Sequence, residues 1–297
     1  MKLSNVTSDF KLRTADFREL TSSHDIISIG MRADEVRRQL HGTTTTFVRV
    51  VEAGLSGDVV VPPGAGEVRI LGAPDDRSAA VARIGAVLAQ ARGVPVSAYS
   101  LADLEQLAAR EGVTLRSILE ELRASGLELV AEAPFDRLQD PRRSIEEVNI
   151  AGLALARLTI HQLSAEDMSS LFTRVAELQR AVAVIRTFAP LPRRINPAVP
   201  TTGFDDVKRV AIARLAVENV PSIQVDWALY GPKLAQVALT VGADDVDSLS
   251  AVDDTGEGRR RAPLEEITRN IRAAGLTPVA RNGRFEHLSS PQDGPAA

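Results

Sequence analysis

The sequence predicts an α/β fold, a TIM-like (β/α) barrel, on three observations. Short β-branched runs alternate with longer helical patterns down the whole chain, the signature of βαβ units and a parallel sheet. Roughly eight such units fit the 297 residues, a length ordinary for one barrel. The dinucleotide fingerprint G-x-G-x-x-G is absent, which disfavours two Rossmann halves. With 44% hydrophobic and 25% charged residues, the chain has material for a large core.

Residues 20–40 predict an amphipathic helix, because Ile26, Ile27, Ile29, Met31, Val36 and Leu40 fall near helical spacing. Residues 45–51 are β-branched and aromatic and predict a strand. Residues 52–66 hold prolines and several glycines and predict a loop, with a short strand at 58–61. A strand follows at 67–71, then a helix from Asp75 or Asp76 to Arg92 with Ala80, Ile84, Val87, Leu88 and Ala91 on one face. Residues 94–99 predict a strand. Ser100 and Thr114 predict the caps of two helices, the second stopping at Gly126. Strands at 127–131 and 153–160 flank a helix at 144–151, and Ser164 with Asp167 predicts a capping box. Residues 182–188 predict a strand and 190–203 a proline-rich loop. Helices are then expected at 205–219, 232–241 and 263–274, with strands at 223–227, 246–249 and 278–281. The domain division is an N-terminal helical extension over 1–44, a barrel over 45–288, and a disordered tail over 289–297.

Composition narrows the function classes. A formal net charge of −4 gives no bulk attraction to nucleic acid or an anionic membrane, and 4% aromatics argue against base-stacking platforms. The start of the chain lacks an apolar signal region and the apolar runs are too short to span a bilayer, so a cytoplasmic location is expected. With 0 cysteines there is no disulfide, thiolate nucleophile, zinc ribbon or cysteine-ligated cluster. His24, His41, His161 and His287 are scattered without metal-ligand spacing, and no metal site is expected.

Local patterns resemble one family. IGMRADEVRRQLHG and TTFVRV, then EVRILGA and SAYSL, are similar to the start of aminofutalosine synthase and its relatives, dehypoxanthine futalosine cyclase and the deazaflavin-cofactor synthases. The specific match is TTGFDDVKRVAIARLAVENVPSIQVDWALYGPKLAQVALTVGADDVDS. It holds the family's TTG-x-DD helix, its x-IxxxW strand, its LAQVAL helix and its GA-[ND]-D-x-D strand end. LEEITRNIRAAGLTPVARNGRF also fits. The likeness is weak before Ile185 and strong after Thr201. It implies a barrel of the radical-SAM type and a place in menaquinone synthesis by the futalosine route.

The departures are as informative. The family holds a 4Fe–4S cluster on C-x3-C-x2-C, in a loop and helix between its first two strands. Here only residues 52–66 separate those strands, and no cysteine is present. This is a shortened β1–α1 region. The glycine-rich stretch after the fourth strand is replaced by VAEAPFDRL, and the histidine-bearing PLxFxP loop by residues 190–197. The resemblance therefore implies a cluster-less homologue, with no radical chemistry and SAM an insecure ligand. A shortened first crossover is also expected to expose a sheet edge, which a second subunit would cover.

Ligands of α/β barrels meet the C-terminal strand ends. That selects Tyr99, Arg186, Asp226, Trp227, Asp244, Asp245 and Asp247 as substrate-binding candidates. Asp226 points opposite to Ile223 and Val225 and needs a partner if buried; a plain salt bridge to Arg186 is the alternative to a ligand role. Asp247 is the inward-pointing member of its trio, whereas Asp244 reads equally as a cap or turn. A Mg²⁺ site on the trio is the lesser alternative. Trp227 either packs at the rim or stacks a purine, and Tyr99 either bonds a ribose or caps the barrel bottom. Arg142-Arg143, Arg193-Arg194 and Arg259-Arg260-Arg261 read as solvated loop charge, with anion binding the sharper alternative. Residues 253–261 have the composition of a lid or partner loop.

Two functions of different class follow, with a blander third. The first is a non-radical pseudoenzyme or accessory subunit holding a nucleoside-like intermediate, as a homodimer or beside a cluster-bearing homologue. The second is a non-redox lyase or hydrolase on a nucleoside-like molecule, using Asp226, Asp247 and Tyr99 as acid–base groups. The third is a scaffold without a small-molecule site. Whether the chain is an enzyme stays open, since fold alone does not decide function.

Overall fold

The computed structural model describes residues 19–164, 166–252 and 262–288. The run Arg259-Arg260-Arg261, the rest of the segment 253–261 and the tail 289–297 lie outside the described residues.

Helix α1 (Ile26–His41) precedes strand β1 (Thr44–Ala53), which connects to β2 (Glu67–Ile70) with no helix between them. Helices and strands then alternate: α2 (Arg77–Gln90), β3 (Val96–Ser100), α3 (Leu101–Glu111), α4 (Leu115–Ala124), β4 (Leu129–Pro134), α5 (Pro141–Ile150), β5 (Ala154–Leu155), β6 (Leu158–Gln162), α6 (Met168–Val182) and β7 (Thr187–Arg194). They continue as α7 (Gly203–Ala216), β8 (Ser222–Asp226), α8 (Trp227–Leu239), β9 (Asp245–Ser250), α9 (Leu264–Ala273) and β10 (Thr277–Ala280). The parallel order is β1-β2-β3-β4-β6-β7-β8-β9, and β9 pairs back onto β1 from Thr46↔Asp245 to Val50↔Ser250. The sheet is thus a closed, eight-stranded parallel barrel. β10 extends it beside the first half of β1, and β5 beside the first half of β4.

Helix starts follow local chemistry. Asp25, Asp76, Thr114 and Asp140 each accept a backbone N–H from the first turn of α1, α2, α4 and α5. Thr202 and Asp205 form a reciprocal capping box at α7. Such caps contribute about 1 kcal/mol each. Ser100 and Asp167 differ from expectation: both hold the N-cap position, of α3 and α6, and neither makes a side-chain cap bond. The Ser164 hydroxyl instead accepts from Glu166 N at 3.2 Å, and α6 starts at Met168.

The apolar residues of the strands face outward, onto the helices. Val68, Ile70, Val130, Ile223, Val225 and Val246 are buried in one core with Ile84, Leu107, Ile118, Val175 and Ile212 of the helices. Each contributes about 1.5–3 kcal/mol by leaving water. Phe172 of α6 meets Phe188 of β7 edge-on at 5.8 Å. Helix α8 breaks at Gly231 (φ 78°), and Pro232 opens its second segment, so the helix expected from 232 gains one turn in front of it.

Two further expectations are corrected. No strand forms at 58–61. The 54–66 connection is instead held onto α2: Arg83 donates to Gly54 O and Gly57 O at 2.7 Å each, and Val59 N donates to Gln90 Oε1 at 2.6 Å. It crosses from β1 to β2 in register, Val50↔Glu67 to Ala53↔Ile70, so the shortened crossover exposes no sheet edge. The second correction is β7. It begins at Thr187 and runs through Pro190 and Pro192, where the expectation put a loop. The β6–β7 register shifts between Thr159 and Ile160, and an irregular pairing is where a strand tolerates proline.

The 54–66 connection ends in a close approach. Gly66 N donates to Arg49 O at 2.8 Å, Gly283 N donates to Gly66 O at 2.9 Å, and a Cβ on Gly66 would lie 2.5 Å from Arg281 O. Gly66→Ala is expected to lower stability by about 1–3 kcal/mol, read as a reduced urea midpoint at unchanged m-value. A wild-type midpoint would show that the crossover is slack at this point.

Candidate ligand site at the barrel mouth

Strand alternation places charge inside this barrel. In β2, Glu67 and Arg69 face inward while Val68 and Ile70 face the helices; β8 and β9 do the same with Gln224 and Asp226, and with Asp245 and Asp247. The usual aliphatic filling of a barrel is replaced by ion pairs in three tiers. In the lowest tier, Arg281 grips Asp245 with two bonds of 2.7 Å, joined by Gln224 and by the Thr46 hydroxyl. In the middle tier, Arg69 donates to Glu67 at 2.9 and 3.0 Å and to Asp247 at 2.8 Å. Arg157 reaches the same two carboxylates, at 3.0 Å to Glu67 and 3.3 Å to Asp247, and the Ser97 hydroxyl donates to Glu67 at 2.5 Å. Arg157 stands where the fifth stave breaks between β5 and β6, its carbonyl still accepting from Ala133 N. In the upper tier Arg193 pairs with Asp226, which also accepts from the Ser248 hydroxyl at 2.8 Å and caps α8 through Leu229 N at 2.9 Å.

Buried charges cost several kcal/mol each unless paired, and here they are paired. Burial alone would raise the Glu67 carboxyl, but Arg69 and Arg157 outweigh it and hold it at about 2. Burial opposes ionisation of Asp247 as well, and Arg157 and Arg69 hold it well below the usual carboxylate range. Arg157 is lowered, by burial first and by its neighbour Arg69 second.

Above these tiers, at the C-terminal strand ends, lies a partly open cavity of about 250 Å³. Arg69, Arg157, Arg193, Asp226, Ser248 and Ser100 contribute polar groups to its wall, with Glu52, Asp103 and Glu132 at other points. Tyr99 and Ser248, at the ends of β3 and β9, both have positive φ, 59° and 58°. Left-handed backbone at non-glycine residues collects at functional sites.

The residues chosen from the sequence separate into groups. Tyr99 and Asp226 line the cavity; Asp247 lies beneath it, bound to the arginines that line it. Asp245 sits in the lowest tier. Asp244 precedes β9 at the opposite end of the barrel, where Arg214 and Ile223 N bind it. Arg186 also stands at that far end, exposed, with its guanidinium donating to Arg284 O at 2.9 Å. The strand that was expected to end near Arg186 begins one residue after it, so Asp226 pairs with Arg193 instead. Trp227 is 2% exposed and offers no stacking face. The Tyr99 hydroxyl donates to Ala80 O at 3.1 Å, and burial pushes its pKa up to about 12. The acidic trio does not gather on one cation: each carboxylate has its own arginine. Among the described residues no group of three or more His, Asp or Glu side chains could hold a metal.

Sequence reasoning passed over Glu67, Arg69, Arg157 and Ser248, and read Arg193 as loop charge. The available signal was the two-residue alternation of charge within an apolar strand, E-V-R-I and D-V-D-S.

Residues 187–294 match the family described as the CofH/MqnC C-terminal region. The chain is similar to aminodeoxyfutalosine synthase of Thermus thermophilus, 27% identical over 66% of this chain and 61% of that one. It is similar to cyclic dehypoxanthine futalosine synthase of Streptomyces coelicolor, 26% identical over 65% of this chain and 55% of that one. The resemblance read from the sequence holds. The family match lies in the C-terminal part of the chain, and the chain is similar to the aminodeoxyfutalosine synthase of Streptomyces coelicolor, 38% identical over 29% of this chain and 24% of that one. The chain spans 61% and 55% of the length of the first two relatives. Among solved structures, methylornithine synthase superimposes with a TM-score of 0.68 at 13% identity, over 91% of this chain and 95% of that one. The hydrogenase maturase HydG gives 0.64 at 12%, over 90% and 72%. The fold is therefore a TIM-like (β/α) barrel, shared with these two structures. The residues present do not fit the cluster that the family implies: no cysteine exists to ligate it, and residues 54–66 run directly from β1 to β2. No helix of the described residues is long and apolar enough to cross a membrane.

The ion tiers make stability acid-sensitive. Glu67 and Asp247 are depressed in the folded state, so their stabilisation is complete above the unfolded carboxylate range and is lost as pH falls towards the folded values. Stability should hold from pH 7 to about 5 and decline from about pH 4.5 towards 2. Glu67→Gln, which strands Arg69 and Arg157, is expected to cost about 3–5 kcal/mol and to flatten that decline. Urea titrations at stepped pH measure both; an unchanged pH profile in the variant would remove Glu67 as the titrating group.

Proposed function

We propose that this chain is a cluster-less homologue of aminofutalosine synthase that acts without radical chemistry. Its role is that of a small-molecule-binding pseudoenzyme or accessory subunit in the futalosine route to menaquinone, in the cytoplasm. One observation carries this reading: the barrel keeps a polar cavity at the C-terminal strand ends, in a chain with no cysteine to ligate a cluster. A nucleoside-like intermediate is the proposed ligand, and a second copy or a cluster-bearing homologue the proposed partner.

A lyase or hydrolase would need an acid–base group free at the mouth. Asp226 already accepts from Arg193, Ser248 and Leu229 N. Asp247 is held ionised between two arginines, and the Tyr99 hydroxyl is bound to Ala80 O. These engagements count against Asp226, Asp247 and Tyr99 as the acid–base groups of a lyase or hydrolase.

Thermal unfolding with SAM, 5′-deoxyadenosine, aminofutalosine and dehypoxanthine futalosine tests the reading. A ligand present at about a hundred times its dissociation constant adds about 2.7 kcal/mol, a rise of about 5–10 °C in a domain of this size. A rise with a nucleoside is expected; no rise with any of the four would sink the nucleoside role.

A further inference from the structure

Three cavity-lining side chains are under-bonded. Arg157 Nε, Arg193 Nε and the Ser100 hydroxyl are buried and have no hydrogen-bond partner among the described residues, and all three residues line the same cavity. Buried polar groups without partners are rare and ask for an explanation. Ser100 is the more telling because it holds the N-cap position of α3, where a serine normally caps. Its hydroxyl is held out of that bond on a strand end whose preceding residue, Tyr99, has left-handed backbone. Arg193 Nε lies 3.5 Å from Glu132 Oε2, near enough to attract and too far for a good hydrogen bond.

The neighbouring carboxylates are already engaged. Glu67 and Asp247 are saturated by Arg69, Arg157 and Ser97, and Asp226 by Arg193, Ser248 and Leu229 N. Glu132 is the carboxylate loosely held at the rim; among the described residues its other side-chain contact is a 3.5 Å approach of the Thr159 hydroxyl. The donors left over therefore suit an acceptor that the described residues do not supply. A volume of about 250 Å³ is below the range of drug-sized pockets, and the buried Trp227 gives no platform for a base.

We infer that the mouth cavity is an oxyanion site. It takes the carboxylate or phosphate group of a small molecule on Arg157, Arg193 and Ser100, with Glu132 as the competing charge that the ligand displaces. Planar guanidinium donors match both groups. This rests on the proposed reading that the mouth keeps a small-molecule pocket, and it shifts the anchoring group from a nucleoside base to an anion.

Calorimetric titration of the full chain with benzoate and with inorganic phosphate tests it, with benzamide and adenosine as uncharged controls. At least one oxyanion is expected to bind at a single site and benzamide not to. Which of the two binds identifies the carboxylate or the phosphate source. Ser100→Ala is expected to weaken the oxyanion about tenfold. Glu132→Gln is expected to tighten it about fivefold, by removing a like charge near the anion. A merely structural pair of residues would not move affinity in opposite directions. Benzamide or adenosine binding as tightly as benzoate, unaffected by Glu132→Gln, would overturn the oxyanion site and leave the pocket reading standing. Oxyanion binding without adenosine binding would uphold the site and count against a nucleoside. No binding by any probe would overturn both.

Discussion

Glu67 and Asp247 face Arg69 and Arg157 in the middle of the barrel, shielded from water, and most of the structure answers to that arrangement. Each of these ions would be prohibitively costly alone. Together they bind three parts of the chain far apart in sequence: β2, the β5–β6 stave and β9. A register slip of one residue in any of these strands would turn the charge towards the helices and an aliphatic side chain towards the ions. The quartet therefore specifies the barrel as well as filling it. The tiers above and below repeat the rule, with Asp226 on Arg193 and Asp245 on Arg281.

This filling explains why the first crossover tolerates being short. In a barrel whose interior is already plugged by side-chain ions, the wall between β1 and β2 is completed by backbone pairing of those strands. Outside it, α2 supplies Arg83 and Gln90 to hold the 54–66 connection down. The space that remains open is at the mouth, where the uppermost ions leave off and the strand ends carry backbone strain. The same arginines that neutralise the interior carboxylates form the floor of that space, so structure and ligand site share their charged residues.

Much of the fold was legible in the sequence because local chemistry enforces it. The β-branched runs at 45–51 and 223–227, the caps at Asp76 and Thr114, and the proline at the start of a helical segment at Pro232 each depend on near neighbours. The misses at Arg186 and Arg193 share one cause. β7 continues through Pro190 and Pro192 because β6 shifts register beside it, which no local pattern announces. That single displacement carried Arg186 to the far end of the barrel and drew Arg193 out of an expected loop into the buried upper tier. Asp244 failed for a related reason: adjacent acidic residues at a strand start straddle the barrel end, one bound outside by Arg214 and the next inside by Arg281.

The sequence by itself determined the alternation of strands and helices, the likeness concentrated after Thr201, and the lack of any cysteine in this chain. These are properties of composition, periodicity and short motifs. Only the tertiary structure decided that the barrel closes across a helix-free crossover, that Asp226 answers to Arg193, and that Arg157, Arg193 and Ser100 keep unused donors at one cavity. Those facts depend on which strands lie beside or across from one another, and such pairings join residues far apart in the chain, Thr46 with Asp245 at the closing seam among them. A carboxylate in a strand looks the same in sequence whether its partner is a ligand, a solvent molecule or an arginine on the opposite wall.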